Sequence, residues 1–147
     1  MKPKDANDLL APISPLHEGI NSYGLGCSVT SKKAVTAEAL RKFAAELMIT
    51  VIQFCVESGA KDIGHIKAFI DHDTGFLHAN TVGDPADVTV EGRDGQPLYS
   101  FNLVINSVLY GLGKEAVKDI TERSLKSVLA KFGMKKKPYP KQQPEMT

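Results

Sequence analysis

Residues 64–80 hold three of the four histidines of this chain, together with two aspartates and a lysine. Histidine changes its charge near neutral pH, and a carboxylate or an ammonium group beside it supports acid–base chemistry or the binding of an anion. The segment therefore contains either a site or the solvent-facing side chains of an ordinary hairpin, and the elements that position these residues decide between the two.

Apolar and polar side chains alternate in residues 64–70 and again in 76–80, which predicts the two strands of a hairpin. We expect Phe69 to pair with Phe76, because this register separates polar from apolar side chains on both strands and leaves Asp71–Thr74 as a four-residue turn. The facing pairs on the polar side are then Lys67 with His78 and His65 with Asn80.

A second hairpin is predicted at Asp94-Gly95, a dipeptide typical of two-residue turns, between DVTVEGR and PLYSFNLVIN. The turn pairs Val90 with Tyr99 on one face and Thr89 with Ser100 on the other. The apolar face of the resulting sheet comprises Ile66, Ala68, Leu77, Val88, Val90, Tyr99, Phe101 and Leu103.

A tight connection between the second and third strands sets His78 beside Glu91 and Asn80 beside Thr89. A histidine held by a carboxylate near an ammonium group can transfer protons, so the candidate catalytic residues are His78, Glu91 and Lys67. The same pairs also stabilise ordinary solvated sheets. The two phenylalanines on this face favour a ligand or partner that covers it. The candidate ligand-binding residues are His65, Lys67, Phe69, Phe76, His78 and Asn80.

A metal site is not expected, and the sequence identifies no cofactor. His72 falls in the predicted turn, roughly 20 Å along the strand from His65. Asp71 and Asp73 flank His72 and could hold a cation weakly, but turns use aspartate for backbone hydrogen bonds without any metal. The chain contains no HExxH, paired CxxC or EF-hand motif.

The two cysteines, Cys27 and Cys55, are not closely spaced. Cys55 lies within an apolar helical pattern and is expected to be buried. Cys27 lies between glycine and serine, and we expect it to be accessible. The surrounding segment, SYGLGCSVTS, does not match the glycine-rich loops that bind phosphate.

Two helices flank the predicted strands. Thr36 is a suitable N-cap for the first, which Gly59 ends, and the second runs from about Lys114 to Phe132 before Gly133. Apolar residues of the first helix extend beyond one face. This breadth indicates burial on two sides, by the sheet or by another subunit.

The predicted fold is α+β, a four-stranded antiparallel meander with two helices packed on one face, in the order helix-β-β-β-β-helix. Residues 1–35, rich in Pro, Gly and Ser, are expected to be an N-terminal arm or loop. Residues 36–133 form a single domain, and residues 134–147 are expected to be a disordered basic tail.

At 147 residues, with 42% hydrophobic and 24% charged side chains, the composition is that of one globular domain. The net charge of +1 argues against nucleic-acid binding, and no apolar run approaches a membrane span, so we expect a cytoplasmic protein. Residues 57–97 hold eight acidic and three basic side chains, whereas residues 114–147 hold four and nine. This asymmetry favours pairing between copies, or a basic tail that binds an acidic partner.

These features predict a small binding or accessory protein that forms a homo-oligomer and has a ligand or partner over the polar face of the sheet. A small anion is a candidate ligand. The alternative is a small enzyme in which His78 and Glu91 perform acid–base chemistry while Lys67 or His65 holds an anionic substrate, and the sequence does not decide whether the chain is an enzyme.

Overall fold

A computed structural model describes residues 19–138. Within these residues the chain forms six strands and two α-helices, with one 3-10 turn at Pro85–Asp87. In chain order the elements are β1 Ile20–Val35, α1 Ala37–Glu57, β2 Asp62–His72, β3 Gly75–Thr81, β4 Thr89–Arg93, β5 Leu98–Tyr110, α2 Lys114–Phe132 and β6 Met134–Lys137.

The strands form one sheet in the order β4-β3-β2-β5-β1-β6, and every neighbouring pair is antiparallel. Helix α1 therefore connects two parallel strands, β1 and β2, with β5 between them, and α2 connects β5 to β6 across β1. This is the topology of two split β-α-β units, the ferredoxin-like arrangement, with β3 and β4 added at one edge. An α+β protein with an antiparallel sheet is confirmed, and the four-stranded meander is wrong.

Strand β1 occupies residues 20–35, which were expected to form an arm or loop, so that expectation is wrong for this part of the segment. Cys27 and Val29 point into the core, and Tyr23 and Leu25 are partly buried beside it. Gly and Ser occupy most of the outward positions. Because these residues also mark loops, they hide the period of two. Residues 1–18 lie outside the described part of the chain.

Strand β5 lies in the middle of the sheet and does not pair with β4, so the predicted hairpin at Asp94-Gly95 is wrong. Phe101, Leu103 and Ile105 are at most 4% exposed. Such a long apolar side is stabilised best in the middle of the sheet, under the helices, whereas five-residue β4 forms an edge. Among the residues predicted for the apolar face, Tyr99 is 61% exposed and the others are buried or half-buried.

The connection from β4 to β5 passes the tip of the β2–β3 hairpin. There the backbone N–H of Gln96 donates to Thr74 Oγ1 at 2.9 Å. A Cβ added at Gly75 would lie 2.3 Å from the carbonyl oxygen of Arg93, so only glycine allows these two backbones to approach so closely.

The β2–β3 hairpin has a register two residues away from the predicted one. Phe69 pairs with His78, and His72 pairs with Gly75 across a two-residue turn, so the four-residue turn is wrong. A shift of two residues leaves each side chain on its predicted face, because strand side chains alternate with a period of two. Lys67 is consequently opposite Asn80.

Both helices match their predicted bounds. The backbone N–H of Ala39 donates to Thr36 Oγ1 at 3.1 Å, which confirms the N-cap, and Gly133 ends α2 in a left-handed conformation with φ of 68°. The wide apolar surface of α1 is buried within the chain by the sheet and α2, where Phe43 and Phe132 pack edge to face with centroids 5.5 Å apart.

After Gly133 the chain returns to the sheet as β6, which pairs with residues 28–31 of β1. Residues 134–137, expected to be disordered, are therefore ordered. Met134 is only 7% exposed and anchors this strand in the core, whereas the three lysines that follow it are exposed. The rest of the predicted tail, from residue 139, lies outside the described residues.

Candidate functional site

The sheet has a helix-covered face and a second face that none of the residues 19–138 covers. Both helices pack against the side formed by Ile66, Leu103 and Ile105. The opposite side, called here the open face, contains the outward side chains of all six strands. These include His65, Lys67, Phe69 and Asp71 of β2; Phe76, His78 and Asn80 of β3; Glu91 and Arg93 of β4; and Asn102, Val104 and Asn106 of β5.

Three rings on the open face form a contact cluster, called here the aromatic cluster: Phe69, Phe76 and His78. The His78 ring lies 4.8 Å from Phe69 and 5.7 Å from Phe76 between centroids, and the two phenylalanine rings are 6.4 Å apart. Arg93 places its guanidinium 5.5 Å from the centroid of Phe76, within range of a cation–π contact. Phe69 remains 36% exposed and neighbouring Val104 41% exposed.

A shallow depression of about 450 Å³ lies beside this cluster. It brings together five of the predicted residues, and its lining includes Lys67, Phe69, His78, Asn80, Glu91 and Val104. A polar rim around exposed apolar groups suits a binding surface, because the apolar centre loses water on association and the rim supplies hydrogen bonds.

His78 and Glu91 are direct cross-strand partners, and Asn80 is opposite Thr89, as predicted. The catalytic geometry expected of the first pair is not formed, however. Within residues 19–138, no hydrogen bond or ion pair joins the imidazole to the carboxylate, and the His78 ring contacts the two phenylalanines instead. A general base is normally oriented by a hydrogen bond, so this arrangement favours recognition over proton transfer.

His65 lies apart from the other predicted residues. It follows a bulge in β2 and pairs with Val108 of β5, beyond the last residue of β3 that pairs with β2. His72 receives a backbone hydrogen bond from Thr74 within the turn, at 3.4 Å. No group of three potential metal ligands assembles anywhere in residues 19–138.

Three residues around the aromatic cluster and the depression were missed: Val104, Asn106 and Arg93. The first two belong to β5, which was expected to pair with β4 rather than with β2. Their alternation with Leu103 and Ile105 already assigned them to the polar face. Their position beside Phe69 and Lys67 depends on strand order, which the alternation does not contain.

Cys27 is 1% exposed, so the expectation that it is accessible is wrong. Burial raises the pKa of its thiol, while the nearby Lys136 ammonium opposes that change. Burial also raises the pKa of Cys55 to about 12. A nucleophilic cysteine needs an accessible thiolate, and neither thiol meets that requirement.

A larger cavity than this depression lies elsewhere, as an apolar groove of about 600 Å³ between α2 and β6. Leu125, Leu129 and Met134 contribute to its lining. Three of its charged lining residues are engaged within the chain: Arg123 pairs with Asp119 at 2.8 Å, and Glu122 accepts a 2.6 Å hydrogen bond from Tyr23 that raises the pKa of this tyrosine.

Comparison with family models, with curated proteins and with solved structures finds no match for this chain. Across residues 19–138, neither helix combines the length and the hydropathy required to cross a lipid bilayer. Function therefore has to be argued from the site itself.

Proposed function

We propose that this chain is a small binding protein whose functional surface is the open face of the sheet. The observation that carries the proposal is the aromatic cluster, which is packed within the chain yet left uncovered among charged and amide side chains. Interfaces draw most of their binding free energy from a few clustered, desolvated groups, with aromatic residues and arginine enriched. Here Phe69 and Phe76 supply the aromatic groups and Arg93 the guanidinium.

The open face is compatible with a protein partner. Apolar groups extend from the cluster to Val104 on the next strand, while Lys67, Asp71, Glu91 and Arg93 contribute both signs of charge around them. A small anion in the depression, held by Lys67, would meet Glu91 on the same lining, and repulsion between the two negative charges would oppose its binding. The partner is therefore a protein surface with an apolar centre.

Hydroxyl-radical footprinting tests whether the open face is covered by a partner in intact cells. We expect oxidation of Phe69, Phe76 and His78 to be lower in intact cells that produce the full chain than in the purified chain at high dilution. Tyr23 is the internal control, because it is partly exposed on the helix-bearing side, where its hydroxyl donates to Glu122 of α2. Equal oxidation of the aromatic cluster in both samples would contradict the proposal.

A pair of variants separates coverage of the face from a general change of structure. Phe69→Ser removes the more exposed of the two phenylalanine rings, and we expect this variant to show the same His78 oxidation in cells as in a purified, diluted sample of the same variant. Val56→Ser is the matched control, since Val56 is 71% exposed on α1, away from the open face. It should leave His78 protected.

A further inference from the structure

We infer that the partner on the open face is a second copy of this chain, packed sheet against sheet about a twofold axis parallel to the strands. The inference depends on the proposed function, because it names the occupant of the same surface. A twofold interface requires one surface to be complementary to itself, and the distribution of groups across the six strands meets this requirement.

The centre of the open face lies between β2 and β5, with two strands further out on each side. Phe69 and Val104 face each other across this centre. A twofold axis between them reverses the strand order of the second copy, so that Phe69 packs on Val104 of the second copy and the reverse contact forms as well. The two most exposed apolar groups of this region are then buried together.

The sizes of the facing residues also match across this axis. His78 and Asn80, two strands out on β3, come over Gly26 and Gly24 of the second copy on β1. A Cβ at Gly24 would meet only Asn106 Oδ1, at 3.7 Å, so packing within one chain does not require glycine there. Glycine inside a strand often marks a close approach by another molecule, and the larger side chains of β3 would provide it.

The sizes of the facing side chains also set the direction of the axis. An axis parallel to the strands brings β3 of one copy over β1 of the other, so that His78 and Asn80 lie over glycine. A perpendicular axis would set β3 over β3 and β1 over β1, so that large side chains meet each other and the glycines face each other. At the margin the register aligns Arg93 of β4 with Lys137 of the second copy, so the charges there do not select the axis.

The size of the open face suits such a dimer. Six strands at about 4.8 Å spacing and strands of about seven residues give a face of roughly 24 by 24 Å in projection. Because side chains project from the sheet, its accessible area exceeds this projected area and approaches the approximately 800 Å² per partner of a standard interface.

Heterologous cross-linking tests the arrangement. Asn80→Cys and Gly24→Cys are prepared separately, mixed, and treated with a thiol cross-linker that spans about 10 Å, the spacing of packed sheets. We expect a dimer that joins residue 80 to residue 24 in the mixture and little product from either variant alone. The native cysteines are at most 1% exposed and provide little background.

Adding Phe69→Ser to both variants is expected to abolish the cross-link, whereas adding Val56→Ser is expected to preserve it. The inference would be overturned if each variant cross-linked to itself and the mixture gave no additional product that joins residue 80 to residue 24. So would a monomer in sedimentation velocity at 100 µM while footprinting still shows protection in cells. That last outcome would preserve the proposed function, with a different protein as the partner.

Discussion

His78 illustrates how the environment of a residue decides its role. From its sequence position it is a candidate general base, with a carboxylate opposite and an ammonium nearby. In the structure its ring lies against Phe69 at 4.8 Å, and none of the hydrogen bonds among residues 19–138 orients it toward Glu91. An imidazole packed against aromatic rings contributes contact area, and under the proposed function its role is recognition.

Cys55 provides a prediction at the residue scale. Burial raises the pKa of its thiol from the ordinary 9.0 to about 12, so above pH 9 the unfolded chain releases a proton that the folded chain retains. The folded pKa is the higher one. This contribution to stability is therefore complete below pH 9 and is lost as the pH rises toward 12.

We expect the free energy of unfolding of the wild type, relative to Cys55→Ala, to fall by about 2 kcal/mol between pH 8 and pH 10.5. Urea titrations of both proteins at each pH measure the difference, in which the other titrating groups cancel. A difference that stays constant over this range would show that Cys55 does not titrate differently in the two states.

At the scale of elements, the edge formed by β3 and β4 is tied to α1 by one side chain. Arg41 Nε lies 2.7 Å from Asp94 Oδ1, and Nη1 donates to the carbonyl oxygen of Val90 at 3.2 Å. Because β4 has five residues and a neighbour on one side only, this tether is expected to account for much of its local stability.

Arg41→Met keeps the apolar stem and removes these contacts. We expect amide exchange in β4 to become about three- to tenfold faster, which corresponds to one or two lost hydrogen bonds, with β1 and β5 unchanged. The control is Arg123→Met, which breaks the pair with Asp119 on α2 and should leave β4 unaffected. Uniform acceleration throughout the sheet would mean that Arg41 contributes to global stability instead.

At the scale of the whole molecule, two helices cover one side of a six-stranded sheet and leave the aromatic cluster open on the other. The apolar breadth of α1, which suggested a subunit contact, is accounted for by α2 and the sheet. The open face remains as the surface for self-association, with Phe69 and Val104 at its centre and the glycines of β1 beside them.

If two copies meet on this face, folding and association are linked. We expect the melting temperature of the wild type to rise by a few degrees over about a hundredfold increase in protein concentration, because only the folded chain forms the dimer. Phe69→Ser should melt at one temperature throughout that range, whereas Val56→Ser should behave like the wild type. Differential scanning calorimetry provides the measurement, and a wild-type melting temperature independent of concentration would contradict the dimer.

Local patterns in the sequence were sufficient for several features. The N-cap at Thr36, the end of α2 at Gly133 and the inward or outward direction of most strand side chains follow from capping chemistry and alternation, which involve neighbours in the chain. Even a register error of two residues preserved the faces. The residues of the open face were thus largely identified before their neighbours were known.

The order of the strands was decided only by the tertiary structure. The Asp94-Gly95 turn and the alternation beside it fit a hairpin locally, but β5 gains more by lying between β1 and β2, where the helices cover its apolar side. Burying the apolar side of a whole strand stabilises the fold through contacts with residues distant in the sequence, and a favourable two-residue turn contributes less free energy. This strand order sets Val104 beside Phe69 on the open face, on which the proposed function depends.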